Sequence, residues 1–211
     1  MAVQEKEHLE DAEFELPETR ASIKVLGWLL AIGGSVGLFA SAMLVIERIR
    51  LLEDPAYTPS CSFNPIVTCG TVMESWQGSL FGFPNPIIGV AAFPVVVTAG
   101  VVALTGAKLP RWFWLGLNAG ALGGAVFVTW LFTQTTYFIG ALCPYCMVVW
   151  VATIPIFVYT TGYNLSEGHL KAPAWLRKAV VESRGLIVTV WFLIIAILIT
   201  IEFWDRWYLV F

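Results

Sequence analysis

Four cysteines are the residues of this chain best suited to redox chemistry. Cys61 and Cys69 bracket the segment CSFNPIVTC, and Cys143 and Cys146 form CPYC at the head of a long apolar run. Four cysteines allow three pairings, and spacing does not choose among them. The CPYC pair carries the stronger signal. Its thiols sit at the expected start of a helix, where unsatisfied backbone N–H groups and the macrodipole favour a thiolate. Pro144 suits a first helical turn, because its missing N–H would go unused there. Such a pair is suited to exchange rather than stapling. A zinc site would need four thiolates converging tetrahedrally. Phe63, Pro65, Ile66 and Val67 make the loop apolar, without the turn chemistry of a zinc knuckle, and Met147, Val148 and Val149 flank Cys146. Redox use is therefore preferred to metal binding, with purely structural bridges as the bland alternative.

The elements that must position these thiols are membrane spans. Of 211 residues 58% are apolar and only 13% charged, and the mean hydropathy is +0.76. A water-soluble fold of this size could not hide so much apolar surface. Crossing about 30 Å of hydrocarbon takes about 20 helical residues. Five runs qualify: Val25 to Ile46, Pro86 to Gly106, Trp112 to Ile139, Leu142 to Tyr163, and Leu186 to Phe203. The polar residues Gln134, Thr135, Thr136 and Tyr137 blur the end of the third. The first 24 residues are acidic, the wrong sign for a targeting peptide. They are expected to form a disordered cytoplasmic tail ahead of a retained first span. No basic run accompanies the net charge of −3, which argues against nucleic acid.

Lys/Arg counts orient the spans. With the N-terminus in the cytoplasm, Lys6, Arg20, Lys24, Lys108, Arg111, Lys171, Arg177, Lys178 and Arg184 lie inside, and Arg48, Arg50 and Arg206 outside. Residues 47–85 then form an outer loop and 164–185 a cytoplasmic one. Trp28, Trp112 and Trp114 are expected in an inner interfacial belt; Trp204, Trp207 and Tyr208 in an outer one. Gly116, Gly120 and Gly124 repeat every four residues, as do Gly33 and Gly37. Both sets are expected to bring neighbouring helices close together.

This topology puts an odd number of crossings before each cysteine pair, so all four thiols share the outer face of the plasma membrane, where disulfides persist. Two dithiols in series can connect a soluble thiol to an acceptor dissolved in lipid, passing the disulfide through a mixed species. Cys146 lies about one turn deeper than Cys143, so Cys143 should exchange with the loop pair and Cys146 meet the acceptor. The chain has neither nucleotide fingerprint nor iron–sulfur spacing, and His8 and His169 fall on the other side. A quinone is the remaining two-electron acceptor. It must be a stronger oxidant than a folding carrier, whose potential can be as high as about −120 mV.

An outward C-x7-C after one span, FGFPNPIIG leading into the next, and CPYC opening the last helix of a four-helix core together resemble the vitamin K epoxide reductase (VKOR) family in a bacterial form, over most of residues 25–163. The resemblance implies an all-α membrane protein. It has a four-helix bundle around a quinone, an outer loop carrying a short helix, and a peripheral fifth span. It implies that Cys146 attacks the quinone, that Cys143 is its partner, that Cys69 shuttles and that Cys61 meets the protein substrate. Asn85 is similar to the family residue that hydrogen-bonds a quinone oxygen, and Ser75 to a small hydroxyl residue of the loop. Trp150 stands where animal members carry a tyrosine; its indole N–H can still donate.

Many bacterial relatives carry a fused thioredoxin-like domain, and this sequence ends at Phe211. The thiol partner is therefore expected to be a separate, DsbA-like thioredoxin-fold carrier. The expected acceptor is menaquinone or a relative, with no metal. The activity expected is a quinone-dependent, disulfide-generating oxidoreductase. Vitamin K epoxide recycling uses the same cysteines, and a disulfide-stapled structural subunit is the non-enzymatic alternative.

Overall fold

The computed structural model describes the backbone of residues 2–54 and 56–205, with side chains from Ile23 onward. The chain forms helices α1 (Ala2–Glu53), α2 (Gly70–Glu74), α3 (Pro86–Leu104), α4 (Arg111–Thr133), α5 (Pro144–Ser166), α6 (Ala174–Glu182) and α7 (Arg184–Glu202). A 3-10 turn (Trp76–Ser79) follows α2 and a π-helical turn (Gln134–Ile139) closes α4. Five segments are long and apolar enough to cross a membrane: Ile23–Glu53, Pro86–Leu104, Arg111–Ile139, Pro144–Ser166 and Arg184–Glu202. The protein is an all-α membrane protein. The expectation of a disordered acidic tail falls almost wholly on residues 1–22, whose side chains lie outside the described residues.

The first span is longer than its apolar run. Glu47, Arg48 and Arg50 break the hydropathy after Ile46, yet the helix continues to Glu53. Backbone hydrogen bonds are satisfied within a helix whatever its side chains, and Leu44 and Leu51 keep one face of this extension buried. Residues 47–53 are therefore helix rather than loop. The 164–185 segment is likewise not plain loop: α5 persists to Ser166 and α6 fills 174–182.

α1 is the centre of the bundle, packing on α3 and α5, while α4 packs on α5. The α1–α3 seam is close because small residues line it. A Cβ added at Gly37 would collide with the Phe93 ring, and one at Gly100 would stand 2.8 Å from the Gly27 carbonyl oxygen. Leu26, Leu30, Phe93, Ala99 and Ile156 fill the core behind this seam. α7 packs on α5 and buries only Ile195, as befits a peripheral span.

The α4 glycines behave differently from those of α1. Nothing lies within 4 Å of where a Cβ would stand on Gly116 or Gly120, and only Thr153 approaches Gly124. The expectation that this stripe draws a helix close is corrected: α3 and α4 stand apart, and the glycines face the space between them. Trp114 is also not interfacial. It is 2% exposed and packs on Tyr163 with ring centroids 4.5 Å apart, whereas Trp28 and Trp112 are exposed. At the other end Trp204 is exposed, while Trp207 and Tyr208 lie outside the described residues.

Candidate functional site

Both cysteine pairs meet at one end of the bundle because the loop after α1 is tied down twice. The first tie is Glu47, which is 1% exposed. Its carboxylate accepts hydrogen bonds from the Tyr57 hydroxyl (2.9 Å), the Ser60 hydroxyl (2.6 Å) and the Ser60 N–H (3.3 Å). The second is a one-residue bridge between Val67 and Leu142. The Leu142 N–H donates to the Ile66 carbonyl (2.7 Å) and the Thr68 N–H to the Leu142 carbonyl (2.9 Å). Pairing 66 and 68 with 142 leaves the next residue of each strand, Cys69 and Cys143, side by side.

The π-helical turn delivers Leu142 to that position. Thr135 and Thr136 are buried, and the Thr135 carbonyl accepts from the N–H groups of Gly140 and Ala141 at 2.9 and 3.2 Å. Gly140 has φ +69°, a conformation that costs glycine nothing and other residues about 1 kcal/mol or more. The polar stretch that blurred the third span in the sequence is thus the turn that aims CPYC at the loop.

Cys61 and Cys69 are joined by a disulfide, and Cys143 and Cys146 are free thiols. The Cys69 sulfur lies 3.1 Å from the Cys143 sulfur, with Cys69 fully buried and Cys143 1% exposed. Cys143 caps α5, and the Cys146 N–H donates to its sulfur at 3.4 Å. Pro144 occupies the first turn of that helix. Cys61, Cys69 and Cys143 thus stand in contact in that order, with Cys146 beyond, an arrangement that would permit thiol–disulfide exchange between the two pairs. Cys61, expected to meet a soluble thiol, is only 3% exposed. It belongs to the apolar cluster against which Tyr57, tied to Glu47, packs.

Cys146 opens on a cavity of about 490 Å3 between α3 and α4. Gly116, Gly120 and Gly124 form part of its wall, opposite Ile88, Ala92 and Val96. The polar residues Ser41, Arg48, Asn85, Trp150 and Thr153 also line it. Apolar walls with a few polar groups suit a flat, lipid-soluble ligand with carbonyl-type oxygens. Among the described residues, no group of three or more His, Cys, Asp or Glu is placed to hold a metal.

The residues expected around a quinone divide by geometry. Trp150 lines the cavity, is 4% exposed, and meets Phe132 edge to face at 5.5 Å. Its indole N–H has no hydrogen-bond partner among the described residues. Asn85 also lines the cavity, but its side chain closes the preceding loop. It donates to the Gln77 carbonyl (2.6 Å) and accepts from the Leu80 N–H (3.1 Å). That leaves one N–H for a ligand. Ser75 is not at the cavity. It caps the 3-10 turn, donating to the Val72 carbonyl (2.7 Å) and accepting from the Gly78 N–H (3.3 Å). From the sequence Arg48 counts only as an outer charge, and Glu47 is not named. Their signal is the helical spacing of Leu44 and Leu51, which carries the helix past Ile46 and sets the two charges on different faces.

The family model described as "Vitamin K epoxide reductase family" matches residues 28–161. That interval holds most of the bundle core, both cysteine pairs and the cavity. No curated protein matches the chain.

Proposed function

Because this chain belongs to the vitamin K epoxide reductase family of membrane oxidoreductases, we propose that it oxidises the dithiol of an extracytoplasmic, DsbA-like carrier and passes the electrons to a membrane quinone, menaquinone or a relative, in support of disulfide formation. The observation that carries the reading is the 3.1 Å approach of the Cys69 and Cys143 sulfurs, with Cys146 on the cavity beyond.

The chemistry balances in two exchanges and one reduction. The carrier's dithiol reduces the Cys61–Cys69 disulfide and leaves oxidised. The Cys69 thiolate then attacks Cys143 of a Cys143–Cys146 disulfide, releasing Cys146 as thiolate. Cys61 next attacks Cys69, which restores the loop disulfide and frees Cys143. The chain is then in the state described above, with the loop pair oxidised and the CPYC pair reduced. A bound quinone supplies a two-electron, two-proton acceptor for that dithiol. Cys146 would face it from the cavity wall, Trp150 and Asn85 would offer N–H donors, and the glycine face of α4 leaves room for a flat ring and an alkyl tail. The apolar walls keep water from the reacting thiols.

Purified protein given a reduced thioredoxin-fold carrier and a quinone should form quinol and oxidised carrier in equal amounts. Cys146→Ala should abolish quinol formation while the loop pair still exchanges with the carrier. Turnover unchanged in that variant rejects the path.

A further inference from the structure

Among the described residues one charged side chain lines the cavity, and none of the others pairs with it. Arg48 lies one helical turn beyond Leu44, and both line the cavity. Its Nε is buried without a hydrogen-bond partner, and Arg48 makes no hydrogen bond or ion pair among the described residues. The neighbouring carboxylate is committed elsewhere, since Glu47 points to the loop and spends both oxygens on Tyr57 and Ser60. Arg50, by contrast, is exposed and donates to the Tyr57 hydroxyl at 3.3 Å. Arg48 is half-buried, and its Nε–H, shut in against apolar walls, is unfavourably placed unless something negative or strongly polar lies within its reach.

Arg48 also stands at the reactive end of the cavity. Leu44, Val72 and Met73, which line the cavity with it, belong to the apolar cluster that contains Cys61, Cys69 and Cys143, with Cys146 packed against it.

We propose that Arg48 is a catalytic residue of the acceptor site, whose guanidinium holds the negative charge that collects on an acceptor oxygen as the Cys143/Cys146 dithiol closes to a disulfide. This rests on the quinone reading above. In that step the two thiols lose two protons and two electrons, two S–H bonds break and one S–S bond forms, and the acceptor takes up both electrons and then two protons to become the quinol. Electrons reach the acceptor's oxygen ahead of its protons. A charged fork of N–H donors, with its Nε already out of water and without a partner, stabilises that oxygen with little reorganisation. Asn85 and Trp150 offer only neutral donors, so the charge falls to Arg48.

The test uses full-length protein in detergent or nanodiscs, comparing wild type with Arg48→Gln and Arg48→Lys. The first measurement is single-turnover closure of the reduced CPYC pair by a short-chain 1,4-naphthoquinone, followed by thiol alkylation. Arg48→Gln should slow closure about 10²- to 10³-fold, the effect typical of losing one oxyanion donor, and Arg48→Lys should recover part of it. Exchange between the loop pair and a reduced carrier should keep its rate. The second measurement is equilibrium binding to protein with the CPYC pair oxidised. Wild type should prefer the anion of 2-hydroxy-1,4-naphthoquinone to neutral 1,4-naphthoquinone, and Arg48→Gln should lose that preference.

Wild-type closure rates with unchanged anion preference in Arg48→Gln would overturn the assignment. So would equal slowing of closure and carrier exchange, which would make Arg48 a support of the loop. A wild type that exchanges with carrier but never closes CPYC with naphthoquinone removes the quinone reading, and this inference with it.

Discussion

The Ser60 hydroxyl donates to a Glu47 carboxylate oxygen at 2.6 Å, fixing the residue before Cys61 to the end of α1. This carboxylate is buried, and its hydrogen bonds span 10 to 13 residues of chain. It holds the loop disulfide against CPYC, and Tyr57, tied to it, packs against the apolar cluster that contains Cys61. On the proposed relay, exchange with a carrier needs Cys61 uncovered, while exchange with Cys143 needs the Glu47 tie in place.

Loss of that tie should separate the two exchanges. Glu47→Ala leaves Tyr57 and Ser60 without their acceptor; Tyr57 is half-buried and Ser60 exposed, so water takes its place and the cost is about 1 kcal/mol per bond. Alkylation of Cys61 in reduced protein should become faster, and trapping of Cys69 with Cys143 less efficient, with the bundle intact. Cysteine-specific mass labelling reads both effects. Equal labelling rates in variant and wild type would mean that the loop is held elsewhere.

The two glycine sets should respond oppositely to bulk. Gly120→Leu adds a side chain to open cavity wall, so helix stability should hold or rise by up to about 1 kcal/mol while quinone reduction falls at least tenfold. Gly37→Leu forces a side chain into Phe93 and should lower the melting temperature, as overpacking costs about 1–3 kcal/mol. Thermal unfolding and quinone turnover on both variants give the comparison. Loss of stability in Gly120→Leu would show that α4 has a close neighbour there.

Asn85→Ala should damage the structure as well as any ligand contact. It removes two hydrogen bonds that close the 77–85 loop, worth about 0.5–1.5 kcal/mol each, and orphans the Gln77 carbonyl and the Leu80 N–H. Ligand-free protein should melt lower than wild type. An unchanged melting point with weaker quinone binding would assign Asn85 to the ligand alone.

Trp150→Phe keeps a ring against Phe132 and removes the indole N–H. The KM for quinone should rise several-fold with little change in stability, the net worth of a hydrogen bond being about 1 kcal/mol. Trp150→Tyr, which restores a donor, should recover part of the affinity. Unchanged KM in both variants would make Trp150 a packing residue.

Hydropathy made the five spans legible, because 20 apolar residues in a row have no other solvent. The cysteine spacing and FGFPNPIIG made the family legible. Side-chain direction was not. Glycines every four residues are alike in sequence whether they face a helix or a void, and only the placement of α3 decides between the two. Nor could composition show that Glu47 and Arg48, adjacent charges past the apolar run, sit on a continuing helix, one holding the loop and one lining the cavity. Gln134, Thr135, Thr136 and Tyr137 read only as a blurred span end because a π-helical turn has no hydropathy signature of its own.

The most direct test of the account is the cross-link between the two pairs. Cys61→Ala combined with Cys146→Ala leaves Cys69 and Cys143, whose sulfurs are already 3.1 Å apart. Non-reducing mass spectrometry of that variant, isolated from membranes with thiols blocked at lysis, should find the 69-to-143 disulfide peptide as the main species. If instead both cysteines are recovered as free, blocked thiols under conditions that oxidise the wild-type loop pair, the two couples do not exchange and the relay is contradicted.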